Sequence, residues 1–307
     1  MNKGRYQEFR DALASRILAL DGSLGVQIGR MLTTAGGNVD FLNITDPTVV
    51  AHVHHDYLAA GADIIETNTF NSNRLSQSGY ALEGRVRELN LRGAEIAREQ
   101  AAAFESQDLS RPRFVAGSIG PTAASASLPN DVENAASRAV DFDTLRRDAA
   151  EQAGALIDGG VDLLLLETCF DALNIKAQLS GIRDAMEERG LDVPVIVSMT
   201  LSDASGRLLS GHTPEAVMTI IQNFKPAAVG FNCGAGPESL VPHLRRLASV
   251  SPYPTIFYPN AGLPDRLGNY SQTAGSFSAA IKPLLDEGLL NICLLYTSDA
   301  ADDSLRV

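Results

Sequence analysis

Short apolar runs alternate with amphipathic helical patterns along almost the whole chain, and this alternation constrains the fold more than any other feature. Most of the runs are continuously apolar, as expected for strands of a parallel sheet that is covered on both faces. Eight strands are predicted, at residues 17–21, 63–68, 114–118, 162–167, 195–200, 227–233, 255–259 and 289–292.

Helical patterns fill the spaces between these predicted strands. One begins at Asp46 and Pro47, with Asp as the N-cap and Pro at the first helical position, and it ends at Gly61. Further helices are predicted at about 81–103, 145–157, 171–188, 213–224, 238–249 and 277–287. Eight strands with seven intervening helices predict an α/β protein with a (β/α)₈ TIM barrel that is incomplete at its C-terminus, because the last helix is missing.

A doubly wound open sheet is the alternative for this order of elements. Its nucleotide-binding form carries Gly-x-Gly-x-x-Gly after the first strand, whereas this sequence reads Asp21-Gly-Ser-Leu-Gly25, which lacks that spacing. The connections from strand to helix at about 22–45 and 119–142 are long, and those from helix to strand are mostly tight. Long loops at the carboxyl ends of the strands indicate that the functional face lies there.

Composition and charge exclude several classes of protein. The net charge of −12 comes from 25 basic and 37 acidic residues, and without a basic stripe it argues against nucleic-acid binding. No run of 18 or more apolar residues suggests a membrane span, and the amino terminus lacks the apolar core of a signal peptide. Three cysteines, far apart in sequence, form no disulfide framework. Together these features predict a cytoplasmic protein.

Polar side chains stand at the ends of the predicted strands, where barrel enzymes keep their chemistry. Asp21 and Glu167 follow apolar runs, and Cys233 closes the sixth strand beside Asn232. Any one of them could simply meet water, and Cys233 could be a packed thiol. As a set they predict a site, because desolvated carboxylates suit a cationic group such as an ammonium. A thiolate in the same mouth suits zinc or copper(I).

Other candidate residues favour simpler interpretations. His52, His54 and His55 lie on the first predicted helix, and a solvated face is expected there in preference to a metal site. Cys169 is interpreted as a packed thiol near the mouth. His212 follows the fifth strand, where it could line the site or cap its loop.

Five segments at the strand ends form a recognisable set, namely Leu20-Asp-Gly-Ser-Leu-Gly25, Gly61-Ala-Asp-Ile-Ile-Glu-Thr-Asn-Thr-Phe-Asn71, Glu167-Thr-Cys-Phe-Asp171, Gly230-Phe-Asn-Cys233 and Pro259-Asn-Ala-Gly-Leu-Pro264. This set resembles the homocysteine methyltransferases, and among them the homocysteine-binding domain of the cobalamin-dependent methionine synthases. The resemblance covers the chain from about residue 15 to residue 292.

The resemblance implies a zinc ion held by three thiolates, of which Cys233 would supply one. The other two would come from a Gly-Gly-Cys-Cys-Gly motif after the eighth strand. Zinc would lower the pKa of the homocysteine thiol, and the thiolate would attack a methyl group carried on cobalamin in another domain. By position, Asp21 and Glu167 would hold the substrate amino group. The predicted substrate site also includes Asn68, Ser118 and Asn260, and no residue is assigned a catalytic role.

The sequence departs from the family pattern after Ile292. The family continues with Val-Gly-Gly-Cys-Cys-Gly, whereas this chain continues with Cys293-Leu-Leu-Tyr-Thr-Ser-Asp-Ala-Ala-Asp-Asp303. That string matches the conceptual translation of a transposase-type sequencing adapter. We therefore expect residues 1–292 to be a truncated homocysteine-binding barrel and 293–307 to be a non-native tail, with a natural divergent tail as the alternative. With a single thiolate ligand, the chain is expected to hold little zinc and to be inactive.

These features predict the homocysteine-binding, zinc-activating module of a 5-methyltetrahydrofolate–homocysteine methyltransferase. Its partners would be homocysteine and the folate and cobalamin domains of a longer protein, with no nucleic acid and no membrane. The alternative among enzymes is a stand-alone homocysteine S-methyltransferase that uses betaine or S-methylmethionine. The alternative outside enzymes is a metal-free barrel that binds an amino acid.

Overall fold

Eight parallel strands close into a barrel in the computed structural model, which describes residues 3–32, 37–260 and 273–294. The strands are β1 (Leu18–Leu20), β2 (Ile64–Glu66), β3 (Phe114–Ile119), β4 (Leu163–Cys169), β5 (Val195–Met199), β6 (Ala228–Asn232), β7 (Thr255–Tyr258) and β8 (Ile292–Leu294). Each strand pairs with the next, and β8 returns to β1 through the register Leu18↔Ile292. The predicted TIM barrel is confirmed.

Helices cover the outside of the barrel and lengthen its loops. They are α1 (Lys3–Ser15), α2 (Leu24–Met31), α3 (Leu42–Thr45), α4 (Pro47–Ala59), α5 (Arg74–Gln77), α6 (Val86–Glu105), α7 (Phe142–Asp158), α8 (Ala172–Arg189), α9 (Pro214–Ile221), α10 (Pro237–Val250) and α11 (Ala274–Asp286). Among the described residues, no helix combines the length and the apolar character that a membrane crossing needs. The seven predicted intervening helices correspond to α4 and to α6 through α11.

Local sequence signals explain where several helices begin and end. Pro47 stands at the start of α4 as predicted. The side chain of Asp141 accepts the Thr144 amide at 2.7 Å and so caps α7, while Asp171 caps α8 in the same way. Helix α8 stops where Gly190 adopts a left-handed φ of 62°, a conformation that glycine tolerates without steric strain.

Three regions differ from the sequence-based prediction. The stretch 22–45, predicted as a loop, contains α2 and α3, and residues 33–36 within it lie outside the described residues. Helix α1 was not predicted; its Phe9 packs edge-to-face on Phe114 with ring centroids 5.3 Å apart at the amino end of the barrel. Strand β8 begins at Ile292 rather than at 289, because the preceding residues bond in the turn after α11, where the Leu289 amide donates to the carbonyl of Leu284.

Alternation along each strand separates an inner from an outer apolar layer. Ile64, Leu165 and Ile256 lie in the cluster that fills the barrel, whereas Ile65 and Leu164 pack outward against the helices. One step further toward the carboxyl ends, the inward positions become polar. They are Glu66, Ser118, Glu167, Ser198, Asn232 and Tyr258. The apolar core therefore forms the floor of a polar mouth.

The amino-terminal end of the barrel also contains buried carboxylates, and these are paired. Asp162, which precedes β4, accepts Arg5 Nε at 3.1 Å and also bonds the guanidinium of Arg98. Asp63, which precedes β2, accepts two N–H groups of Arg16 at 2.7 and 3.1 Å. This end, which we call the base, is held together by ion pairs and by α1.

The predicted boundary at residue 292 falls inside β8. Cys293 and Leu294 extend that strand and lie in register with Ala19 and Leu20 of β1. The remainder of the predicted non-native tail, 295–307, lies outside the described residues, as does 261–272. The assignment of 293–307 as foreign sequence therefore stays a prediction.

Candidate functional site at the mouth of the barrel

Glu167 is the most constrained carboxylate of the mouth. Its Oε1 accepts the hydroxyl of Ser118 at 2.5 Å, and its Oε2 accepts the hydroxyl of Tyr258 at 3.2 Å. The side chain is buried, and burial raises the pKa of Glu167 to about 7, although both hydroxyl bonds oppose that change. Two of the predicted site residues, Ser118 and Glu167, thus lie together. Tyr258 was missed, although it stands one inward step beyond Ile256 on β7.

Asp21 lies beside Glu167 at the end of β1 and is 1% exposed. Its Oδ2 accepts the backbone N–H of Glu66 at 2.9 Å, while its Oδ1 is buried and has no hydrogen-bond partner among the residues that the structure describes. Burial and then the nearby charge of Glu167 raise the pKa of Asp21 well above its usual value. A buried carboxylate oxygen without a partner costs about 1–3 kcal/mol, more if charged, so it marks a place where a ligand could donate.

Glu66 is a third carboxylate of the mouth, and the sequence analysis did not select it. It ends β2 and points inward, two residues beyond Ile64 of the barrel interior. Burial raises the pKa of Glu66 well above its usual value, with further contributions from Glu167, Asp21 and Cys233. Alternation along β2 could have identified it, since the predicted strand 63–68 contains it.

No ion pair involving Asp21, Glu66 or Glu167 occurs within the described part of the chain. Burial raises the pKa of all three carboxyl groups, and repulsion from neighbouring carboxylates raises the pKa of Asp21 and Glu66 further. A ligand that brings a positive charge would stabilise this group of buried carboxylates. The mouth is suited to a cationic group.

Cys233 lies directly after β6 in a left-handed conformation, with φ of 53°. It is half-buried, and its Sγ accepts an N–H of Asn232 at 3.2 Å. Burial, and next the charge of Glu167, raise the pKa of the Cys233 thiol, whereas the Asn232 bond lowers it. The predicted placement of this thiol near the predicted carboxylates is therefore observed.

Asn232 connects the ends of three strands through its side chain. Its Oδ1 accepts the Ser198 hydroxyl at 2.7 Å and the Thr168 amide at 3.0 Å, and its Nδ2 donates to Thr168 Oγ1 at 2.8 Å and to Cys233. All four hydrogen-bonding positions of the amide are thus used. Thr168, like Cys233, has a left-handed φ, here 55°, which costs on the order of 1–3 kcal/mol for a residue other than glycine. Asn232 holds both strained residues in place.

Asn68 and Asn260 are less directly connected to this cluster. The amide of Asn68 donates to the carbonyl of Val39 at 2.9 Å and to Asn43 Oδ1 at 3.0 Å, so it ties the loop after β1 to the loop after β2. Asn260 is half-buried and its backbone N–H donates to Ala235 at 3.2 Å; the rest of its motif lies outside the described residues. Their roles in substrate binding stay predictions.

The donor set does not fit a three-thiolate zinc site. The sequence has three cysteines. Cys169 is buried, as predicted, and its Sγ donates to the carbonyl of Leu166 at 3.6 Å, while Cys293 belongs to the outward-facing apolar layer. Within residues 3–32, 37–260 and 273–294, no three His, Cys, Asp or Glu side chains are arranged to hold a metal ion. Cys233 is thus the single thiol of the mouth in the described structure.

The histidines differ in their exposure and in their hydrogen bonds. The side chains of His52 and His55 are 62% and 56% exposed on α4, which confirms the solvated face. The solvated face does not extend to His54, which is buried on the same helix. Neither of its ring nitrogens has a hydrogen-bond partner among the described residues, and burial lowers its pKa to about 4. His212 is exposed, and its Nδ1 lies 3.1 Å from the hydroxyl of Ser210 in the same loop.

Comparison with known proteins gives one family and one fold. A sequence model of the family described as homocysteine S-methyltransferase matches residues 18–293. The metallated form of the homocysteine methyltransferase MmuM from Escherichia coli superposes with a TM-score of 0.76 at 21% identity, covering 95% of this chain and 94% of that chain. Its oxidized form gives a TM-score of 0.75 at 21% identity, with 92% of each chain covered. At such identities the structural likeness establishes the fold alone.

Proposed function

Because the chain belongs to the homocysteine S-methyltransferase family, we propose that its mouth binds L-homocysteine and holds the substrate's ammonium group with carboxylates. The observation that carries this proposal is the buried, unpartnered Oδ1 of Asp21 beside Glu167 and Glu66. A free amino acid brings one ammonium group into this pocket. Its charge offsets the repulsion among the carboxyl groups.

The residues of the mouth bind and orient the substrate in this proposal. Ser118 and Tyr258 fix the plane of the Glu167 carboxylate, so its remaining lone pairs have defined directions. Asn232 fixes Cys233, which we propose lies at the sulfur end of the substrate. In methyl transfer the substrate's own sulfur is the nucleophile, so the protein contributes mainly position and electrostatics.

We propose further that the methyl donor is carried on cobalamin by another domain, as in methionine synthases. The overall similarity of the strand-end segments to the homocysteine-binding domain of those enzymes supports this branch. Zinc belongs to the same proposal, with Cys233 as one ligand. The described residues do not fit a complete zinc site, and the chain contains no adjacent cysteine pair.

The sequence after Ile292 bears on both cofactors. We propose that 293–307 replace natural sequence that carries two more thiolates, and the family match ends at residue 293. Sequencing the gene across the codon for Ile292 tests this point. Two adjacent cysteine codons shortly after it are expected, and genomic DNA that encodes 293–307 as written would contradict the proposal.

A second candidate function is a stand-alone homocysteine methyltransferase with a small-molecule donor. The observation in its favour is that this chain covers 94% of the E. coli enzyme, which is a homocysteine methyltransferase of similar length. Incubation with homocysteine and S-methylmethionine, betaine or methylcobalamin separates the candidates.

Calorimetric titration of the chain with L-homocysteine tests substrate binding without any methyl donor. We expect saturable binding, and a loss on the order of tenfold to a hundredfold for Glu167→Gln, because a charged hydrogen bond contributes about 1.5–3 kcal/mol. Glu99→Gln, at an exposed position of α6 outside the barrel, serves as the control and should bind normally. If the unaltered chain shows no binding, the proposed function is wrong.

A further inference from the structure

The two oxygens of Glu167 already accept protein hydroxyls, whereas other acceptor atoms of the mouth are unused. Ser118 and Tyr258 each occupy one Glu167 oxygen. Asp21 offers one buried oxygen that has no partner in the described part of the chain. The carboxyl group of Glu66 forms no hydrogen bond or ion pair with any residue in the described ranges, whereas its backbone N–H donates to Asp21. The unused acceptors therefore lie on the side of β1 and β2.

Strand order places Glu66 between the other two carboxylates. Strand β2 lies between β1 and β3, and Glu66 is in register with Ala116 of β3. Two residues further along β3, Ser118 holds Glu167. On the other side, the amide of Glu66 donates to Asp21 Oδ2 at 2.9 Å. Glu66 therefore lies within the carboxylate cluster, with its side chain directed into the mouth.

We propose that Glu66 is a third acceptor for the substrate's ammonium group and the residue that most strongly selects amino thiols over thiols without an amino group. This inference rests on the proposed function. An ammonium has three donors, which three carboxylates can accept in full. Asp21 Oδ1 and Glu66 supply acceptors that have no competing protein donor among the described residues, and Glu167 supplies a third that two hydroxyls have oriented.

This division of roles has a consequence for binding energy. Glu167 is stabilised by Ser118 and Tyr258 before the substrate arrives, so it gains less from the ammonium than an acceptor without partners. Glu66 and Asp21 change from unpartnered to partnered when the substrate binds. Replacing Glu66 should therefore reduce the affinity for an ammonium at least as much as replacing Glu167.

Binding of two ligands to the unaltered chain and to three variants tests this inference. The ligands are L-homocysteine and 4-mercaptobutanoate, which is homocysteine without its amino group. For Glu66→Gln we expect the homocysteine dissociation constant to rise on the order of tenfold to a hundredfold, at least as much as for Glu167→Gln, with the 4-mercaptobutanoate constant changed less than about twofold. Glu66→Asp keeps the charge on a shorter side chain and should lose less than Glu66→Gln.

Control measurements separate the possible failures. Glu99→Gln changes an exposed glutamate on α6 outside the barrel and should match the unaltered chain for both ligands. If Glu66→Gln weakens both ligands equally, or weakens neither, the inference is wrong while the proposed function stands on the binding of homocysteine by the unaltered chain. If the unaltered chain binds neither ligand, the proposed function and this inference both fail.

Discussion

The base and the mouth of this barrel contain the same kind of side chain in opposite circumstances. At the base, buried Asp162 bonds to Arg5 and Arg98. At the mouth, buried Asp21 has an oxygen with no partner, and it lies among other carboxyl groups. Both ends are desolvated, so burial alone does not distinguish them. The presence or absence of a protein cation does.

This difference separates the carboxylates that the folded chain needs for its stability from those that lower it. When a buried carboxylate is paired with arginines, removing either partner leaves an uncompensated charge and destabilises the folded chain. A buried carboxylate without a cation lowers stability until a ligand supplies one. The carboxylates of the base therefore serve the stability of the fold, and those of the mouth serve ligand binding. Neutralising a carboxylate should therefore lower the free energy of unfolding at the base and raise it at the mouth.

The largest effect is expected at the base. Asp162→Asn removes a negative charge that Arg5 and Arg98 share. Because both arginines also pair with Glu105, the cost is expected at the lower end of the about 3–5 kcal/mol that is typical for breaking a buried ion pair. Urea unfolding measures the free energy of unfolding for both chains. Asp203→Asn, on an exposed loop, is the control. A loss below about 1 kcal/mol would show that the base network is no more than a set of surface ion pairs.

His54 tests whether a missing partner by itself indicates function. Its folded pKa of about 4 lies below the unfolded value of about 6.5, so the unfolded chain binds the proton more tightly. This contribution to stability is present above pH 6.5 and is lost as the pH falls toward 4, by about 1.4 kcal/mol per pH unit. His54→Leu should remove this slope in urea unfolding between pH 7 and pH 5.

The same variant should leave homocysteine binding unchanged, because His54 lies on a helix outside the barrel. If His54→Leu abolishes binding of homocysteine while the chain remains folded, His54 belongs to the site after all. If the pH dependence of stability stays the same, the histidine is not buried as a neutral group.

Asn232→Ala is expected to have an intermediate effect. It removes four hydrogen bonds and leaves the Thr168 amide and the Ser198 hydroxyl without their acceptor, at a cost of about 1–3 kcal/mol in the free energy of unfolding. Alkylation of Cys233 by iodoacetamide should become slower, because the N–H bond that favours the thiolate is lost. Asn223→Ala, at an exposed position, is the control. Unchanged stability and unchanged alkylation would contradict the connecting role of Asn232.

Glu66→Gln is expected to change the free energy of unfolding least, and the sign of this change is the important result. The pKa of Glu66 is raised in the folded chain, so this carboxyl group lowers the free energy of unfolding as the pH rises. The loss is absent below the unfolded pKa of about 4.5 and grows above it. The variant should therefore be more stable than the unaltered chain at pH 7.5 and equal to it at pH 4. A destabilised variant at pH 7.5 would place Glu66 with the paired carboxylates of the base.

Much of this architecture could be predicted from the sequence, because apolar runs of strand length and helical periodicity leave few alternatives. Asp21, Glu167 and Cys233 could be found since each directly follows an apolar run. Alternation along β2 and β7 places Glu66 and Tyr258 on the same side of their strands as Ile64 and Ile256, but it does not show which neighbours they meet in the mouth. Those neighbours are set by register and closure, which a single sequence does not display.

Elements that lack a strong pattern were also missed. Helix α1 buries its apolar side against the amino end of the barrel, and Arg5 reaches Asp162 at a separation of 157 residues. The bonds of Asn232 join three strands in the same way. Long-range pairs of this kind become visible only in three dimensions.

A crystal structure of the chain with L-homocysteine directly tests whether the carboxylates of the mouth hold the substrate's amino group. The measurement is the set of distances from the ligand nitrogen to the carboxylate oxygens of the mouth. We predict hydrogen bonds of about 2.7–3.1 Å from that nitrogen to Asp21 Oδ1, to Glu66 and to Glu167. An amino group directed to solvent, with Asp21 Oδ1 still unpartnered or paired with a protein cation, would contradict the account.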